Sequence, residues 1–173
     1  MVEVMVSIIV MTVGMVSVLG VFGLAMASTA TSQDNAIAKQ IADEAIESIL
    51  TARETTNITW AQIQNTGNGG IFLPGFVAVD CAGVDGIVGT ADDAACGPQI
   101  LTLPGPDGIF GTADDVQYPL TNYQRQIVIT PALDQNNNPI PTLNTVTITV
   151  QYTTPQSRAL KTYVLNTFIS EFR

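Results

Sequence analysis

Between Val4 and Gln33 the chain carries no charged side chain, and most of that stretch, MVSIIVMTVGMVSVLGVFGLAMA, is apolar. A helix of about 23 residues spans roughly 35 Å, enough to cross a hydrocarbon layer of about 30 Å. Such a segment needs lipid or other apolar helices around it. Gly14, Gly20 and Gly23 would each cost an isolated soluble helix about 1 kcal/mol relative to Ala, whereas in a close-packed bundle they let backbones approach. A cleaved secretory signal ending at Ala25-Met26-Ala27 fits poorly, because the opening holds Glu3 and no cation, and the run exceeds the usual ~7–15 residues. A generic single-pass anchor accounts for the run but not for Glu3 or for the seamless amphipathic extension after Gln33.

Past Gln33 the helical pattern continues in another register of polarity. Ile37, Ile41, Ala45 and Ile49 form a stripe reinforced by Ala38, Ala42, Ile46 and Leu50, with Lys39, Asp43, Glu44 and Glu47 expected on the opposite side. No Gly or Pro interrupts Leu24 to Glu54, so one helix is predicted from near Val2 to about Thr55, roughly 80 Å long at standard rise. Residues 1–33 are then an apolar transmembrane or filament-core helix, 34–56 its amphipathic continuation, and 57–173 a head.

The head reads as strand and turn. Thr145 to Tyr152 alternates apolar and polar residues, Tyr123 to Thr130 makes a partner, and Asp134 to Pro139 supplies the turn between them. Ala159 to Ile169 gives a further strand after a break at Pro155. The predicted class is α+β, the second half of the long helix covering the apolar face of an antiparallel sheet.

Charge and composition exclude several functions. Fifteen acids against six Lys plus Arg leave a net charge of −9, which does not suit phosphate-backbone binding, so no nucleic-acid contact is inferred. There is no His, which removes imidazole acid–base catalysis, a Ser/His/Asp triad and the commonest transition-metal ligand. No catalytic residue is expected and the chain is read as non-enzymatic. Cys81 and Cys96 lack C-x-x-C spacing, and in a chain that otherwise looks exported a disulfide between them is the natural reading. Asn57-Ile58-Thr59 fits a glycosylation sequon and is treated as a chance match.

Between Asp80 and Tyr118 the head contains a repeat. GVDGIVGTADD at Gly83–Asp93 recurs as GPDGIFGTADD at Gly105–Asp115, offset by 22 residues. Each copy joins three carboxylates through glycines that permit sharp turns, and hard cations such as calcium take several oxygens at once. Asp85, Asp92 and Asp93 are candidate ligands of one ion, and Asp107, Asp114 and Asp115 of another, unless the copies share a site. The pattern is not an EF-hand, having no final Glu. It looks like the Asp/Gly calcium-type repeats of exported bacterial proteins. The competing reading is an acidic surface turn held by Asp side-chain bonds to backbone.

The residues MVEVMVSIIVMTVGMVSVLGVFGL resemble the mature N-terminus of type IV pilins and the related pseudopilins, which places two aliphatic residues and a glutamate ahead of an uninterrupted apolar helix. Met1-Val2-Glu3-Val4 matches that part of the motif, without the two residues that usually precede it. The closing segment NTVTITVQYTTPQSRALKTYVLNTFIS is similar to the paired final strands of pilin heads. The resemblance implies a homo-oligomer polymerised through its N-terminal helix into an extracellular helical pilus filament. The subunit would be anchored in the inner membrane before assembly and handled by pilus assembly machinery. A carboxylate bordering an apolar helix is expensive to bury unpaired. Glu3 is therefore expected to meet the free α-amine of a neighbouring subunit, or else to sit solvated among lipid headgroups. Three roles stay in view: a major pilin, a minor pilin or secretion-system pseudopilin, and a membrane-anchored calcium-binding module that never polymerises.

Overall fold

The computed structural model describes residues 2–154 and 159–172. A single helix, α1 (Val2–Glu54), runs 53 residues without a break. It ends on a Schellman turn: the Asn57 N–H donates to the Ala52 carbonyl at 3.0 Å and the Thr56 N–H to that of Arg53 at 3.2 Å. Thr56 occupies the left-handed position, φ 60°, that such a turn usually gives to glycine.

The second half of α1 docks on a four-stranded antiparallel sheet ordered β1 (Val77–Ala78), β4 (Tyr123–Leu133), β5 (Pro139–Thr153), β6 (Leu160–Ser170). Ala38, Ile41, Ala42, Ala45, Ile49 and Ala52 form the buried seam, while Ile37, Ile46 and Leu50 pack at its margin. Alternating Ala with Ile lets the helix axis approach the sheet closely while still filling the space between strands. One difference from the expected polarity is Glu44. It lies half-buried toward the head rather than with exposed Lys39 and Glu47, because residues after Val79 wrap around that side of α1.

The hairpin is as expected but longer. Tyr123, Arg125, Ile127 and Ile129 of β4 face Tyr152, Val150, Ile148 and Val146 of β5 across the ladder, so buried residues oppose buried residues. The register shifts between Pro131 and Leu133, and Ala132 turns inward there. Pro131 lies beyond the short reach of β1, so its missing N–H breaks no ladder on that side. Asn65 completes that edge with its side chain, donating to the Ile127 carbonyl at 2.7 Å and accepting from the Ile129 N–H at 2.8 Å. The break expected at Pro155 lies outside the described residues. β6 pairs along its whole length with β5 and ends beside the far end of α1, where Arg53 donates to the Ser170 carbonyl at 2.6 Å.

The segment read as a loop from Asp80 to Tyr118 has more structure than its composition suggested. It contains a short helix α2 (Asp93–Cys96) and a hairpin of β2 (Ile100–Leu103) with β3 (Val116–Pro119). Cys81 and Cys96 are bonded, with Cα atoms 5.7 Å apart, closing a loop around the first repeat copy.

Candidate functional site: apolar stalk and duplicated acidic turn

From Val2 to Met26, α1 stands clear of every other described part of the chain. Its large apolar side chains there are 52% to 76% exposed, on every side of the helix. Five hydroxyls along the first part of α1 turn back on the helix itself: Ser7 donates to the Glu3 carbonyl, Thr12 to Ile9, Ser17 to Val13, Thr29 to Ala25 and Ser32 to Ser28, all between 2.8 and 3.0 Å. The stalk thus offers its surroundings methyl and methylene groups while these hydroxyl donors are already used, which suits lipid or neighbouring helices. Glu3 stands exposed in the first turn.

Where polarity resumes, two tyrosines of the sheet grip the helix. The Tyr152 hydroxyl donates to Asn35 Oδ1 at 2.9 Å and that of Tyr123 to Asp34 Oδ1 at 3.3 Å, the two rings stacking with centroids 5.3 Å apart. Burial, then the Asp34 charge, push the Tyr123 hydroxyl well above its ordinary range, so it stays a proton donor. This clamp fixes the point at which the free stalk leaves the head.

The two repeat copies fold alike. In the first, the Ile87 N–H donates to Asp85 Oδ1 at 2.8 Å, Gly89 N–H to Asp93 Oδ2 at 2.6 Å, and Thr90 Oγ1–H to Asp92 Oδ1 at 2.6 Å. In the second, Ile109 donates to Asp107 at 2.8 Å, Gly111 to Asp115 at 2.6 Å, and Thr112 to Asp114 at 2.6 Å. Gly86 and Gly108 share φ near 70°, and Gly89 and Gly111 share φ of 88° and 86°. A Cβ on Gly83 would overlap the Asp92 carboxylate, and one on Gly105 that of Asp114. The Thr90 and Thr112 hydroxyls, the largest influence in each case, hold Asp92 and Asp114 below the usual carboxylate range, whereas burial raises Asp93.

Ligand oxygens of Asp85, Asp92 and Asp93 fall within 4.8 Å of one another, close enough to share one metal ion. Among the described residues no second such triple occurs, so Asp107, Asp114 and Asp115 share the turn but not that mutual approach. Each aspartate also accepts hydrogen bonds from its own turn, which holds the loop together by protein donors alone.

Arg125 is not among the site residues marked out by motif or repeat in the sequence. It is fully buried on β4, its guanidinium 4.0 Å from Glu44 Oε2, and Glu44 also takes a hydrogen bond from Gln99 at 3.0 Å. None of its three nitrogens has a hydrogen-bond partner among the described residues, and desolvation lowers its pKa against the opposing pull of Glu44, Asp93 and Asp80. The signal was present: Arg125 occupies the inward phase of the alternation Tyr123, Arg125, Ile127, Ile129. It places one cation among α1, the sheet and the first repeat.

Comparison with family models, with curated proteins and with solved structures yields no match.

Proposed function

We propose that this chain is the structural subunit, a major pilin, of a type IV pilus-like extracellular filament, polymerising through its N-terminal helix and catalysing nothing. The observation that carries the proposal is the stalk: a continuous helix exposed and apolar on all sides from Val2 to Met26, while its second half is fixed to a folded head. A single-pass anchor needs only the apolar run. A rigid extension through the head instead transmits the orientation of one packed stalk to the surface of an assembly, which is what a helical polymer of identical subunits requires.

In that assembly Glu3 sits among apolar neighbours and is neutralised by the α-amine of an adjacent subunit, which sets the axial step. Before assembly the stalk lies in the inner membrane, and assembly machinery withdraws it. The test is Glu3→Ala, assayed by electron microscopy of sheared fibres and mass spectrometry of their main band. The expected result is a folded, membrane-inserted subunit with few or no filaments; a normal filament yield overturns the pairing.

A second role for the head is favoured by the close approach of Asp85, Asp92 and Asp93. Bound calcium would relieve repulsion among these carboxylates and stiffen the disulfide-closed loop. The same turn chemistry supports the runner-up, a membrane-anchored calcium-binding module that does not polymerise. Absence of fibres together with retained calcium binding would favour that alternative, whereas minor-pilin or pseudopilin status would show as a trace component of fibres built from another subunit.

A further inference from the structure

The two copies of the acidic turn present an apolar pair at the same place and do different things with it. In the first copy the pair is Ile87-Val88, each 2% exposed and part of the head's core. In the second the pair is Ile109-Phe110, 60% and 67% exposed, on a turn with equivalent hydrogen bonds and glycine angles. The turn is thus a device for holding two large apolar side chains outward. Its second copy holds them where the described head leaves them largely uncovered.

Their position follows from the β2–β3 hairpin. Gln99, just before β2, bonds Glu44 on α1, whereas Leu101, Leu103 and Tyr118 share a cleft with Ala30, Gln33, Asp34 and Ile37. β2 therefore runs along α1 toward the stalk, and the turn joining it to β3 projects from the stalk-side end of the head. At that level α1 passes from its apolar run into the uncharged polar segment Ser28 to Gln33, the stretch that falls at the headgroups when the preceding apolar residues fill a layer about 30 Å thick. Leu103, Val116 and Tyr118 add exposed apolar and aromatic surface to the same end, as interfacial contact favours.

We propose that the second repeat is a membrane-surface anchor: Ile109 and Phe110 insert at the lipid interface beside the point where the stalk emerges, and hold the unassembled head against the bilayer. The occupant is lipid. The inference rests on the stalk spanning a bilayer before assembly. Asp107, Asp114 and Asp115 flank the pair, so insertion favours zwitterionic over anionic headgroups.

The test uses the full chain reconstituted in phosphatidylcholine vesicles. One nitroxide is placed at Phe110→Cys, at Val84→Cys as an exposed position on the first copy, or at Val13→Cys in the stalk. Collisions with oxygen and with a water-soluble nickel chelate report depth. The expected result is a Phe110 label several-fold less accessible to nickel than the Val84 label, at both low and high chain density, with the Val13 label deepest. A Phe110 label as accessible as Val84 while Val13 is buried overturns the anchor and leaves the stalk reading standing. Val13 and Phe110 both in water overturns both. Protection of Phe110 only at high chain density makes a second copy of the chain the occupant and overturns the lipid proposal.

Discussion

Glu44→Gln should destabilise the protein although it removes only one half-exposed charge. The Arg125 guanidinium is wholly buried, lacks hydrogen-bond partners among the described residues, and lies 4.0 Å from the Glu44 carboxylate. At that distance two unit charges attract by about 4 kcal/mol at an effective dielectric of about 20 and by about 1 kcal/mol in water. Because the Glu44 side chain is 36% exposed, the pair falls between these limits, and the loss is about 2 kcal/mol. In a chain of this size that lowers Tm by about 4–8 °C. Arg125→Met removes the buried charge itself together with its desolvation, and a buried ion replaced by apolar atoms of similar length is often tolerated. Asp93 keeps its bonds from the Gly83, Gly89 and Thr90 N–H groups in that variant. Arg125→Met should therefore melt within a few degrees of the parent, and the double variant should melt no lower than Glu44→Gln alone. Thermal unfolding of the full chain in detergent, followed by near-ultraviolet circular dichroism, checks this ordering. If Glu44→Gln melts with the parent, or if Arg125→Met is the worse of the two, the electrostatic account of the helix–head contact is wrong.

Calcium titrated into the full chain in detergent should bind at about 10⁻⁴ to 10⁻³ M and raise Tm, and Asp85→Asn with Asp92→Asn should abolish both effects; no heat and no Tm rise at millimolar calcium refutes the metal reading. Gly89→Ala should cost more than Gly111→Ala, since both positions have left-handed φ but only at Gly89 would the new Cβ also strike Ile127; roughly 1–2 kcal/mol from the backbone at each site, plus about 1–3 kcal/mol of overpacking at Gly89, should separate their urea midpoints. Asp114 has its folded pKa lowered from 3.8, so the stability difference between the parent and Asp114→Asn should be full above pH 3.8 and shrink as pH falls through the lower folded value. Burial raises Asp93 instead, so its proton-linked contribution has the opposite sign: full below pH 3.8 and lost as pH rises through the folded pKa. Equilibrium unfolding across pH 2–6 reads both.

Long-period patterns carried most of what could be read from the residues. The helix from Val2 to Glu54 is written in uninterrupted apolar spacing, and the β4–β5 hairpin in strict alternation around a turn rich in Asp and Asn. The β2–β3 hairpin was not legible because seven of its eight residues are exposed, so no buried face imposes a period of two. Duplicate sequences concealed different fates for the same reason. Ile87-Val88 and Ile109-Phe110 are alike locally, and only tertiary placement against Phe72, Ile127 and α1 decides which pair is covered. The sequence pattern groups Asp107, Asp114 and Asp115 just as it groups Asp85, Asp92 and Asp93, but among the described residues only the first triple brings its ligand oxygens within 4.8 Å of one another; the shared turn bonds fix which donors meet and leave the spacing between acids free.

The bond from Arg53 to the Ser170 carbonyl brings the last turn of the long helix and the last strand to one pole of the head. The stalk leaves from the other pole, about 20 residues of helix or roughly 30 Å away. A peptide inserted after Ser170, where β6 ends, would accordingly start on the side facing away from the stalk. In an assembly built by packing stalks together, such an addition would point outward once per subunit at regular intervals, so epitopes, affinity tags or metal-binding tails could be displayed there in a dense ordered array without entering the packed centre.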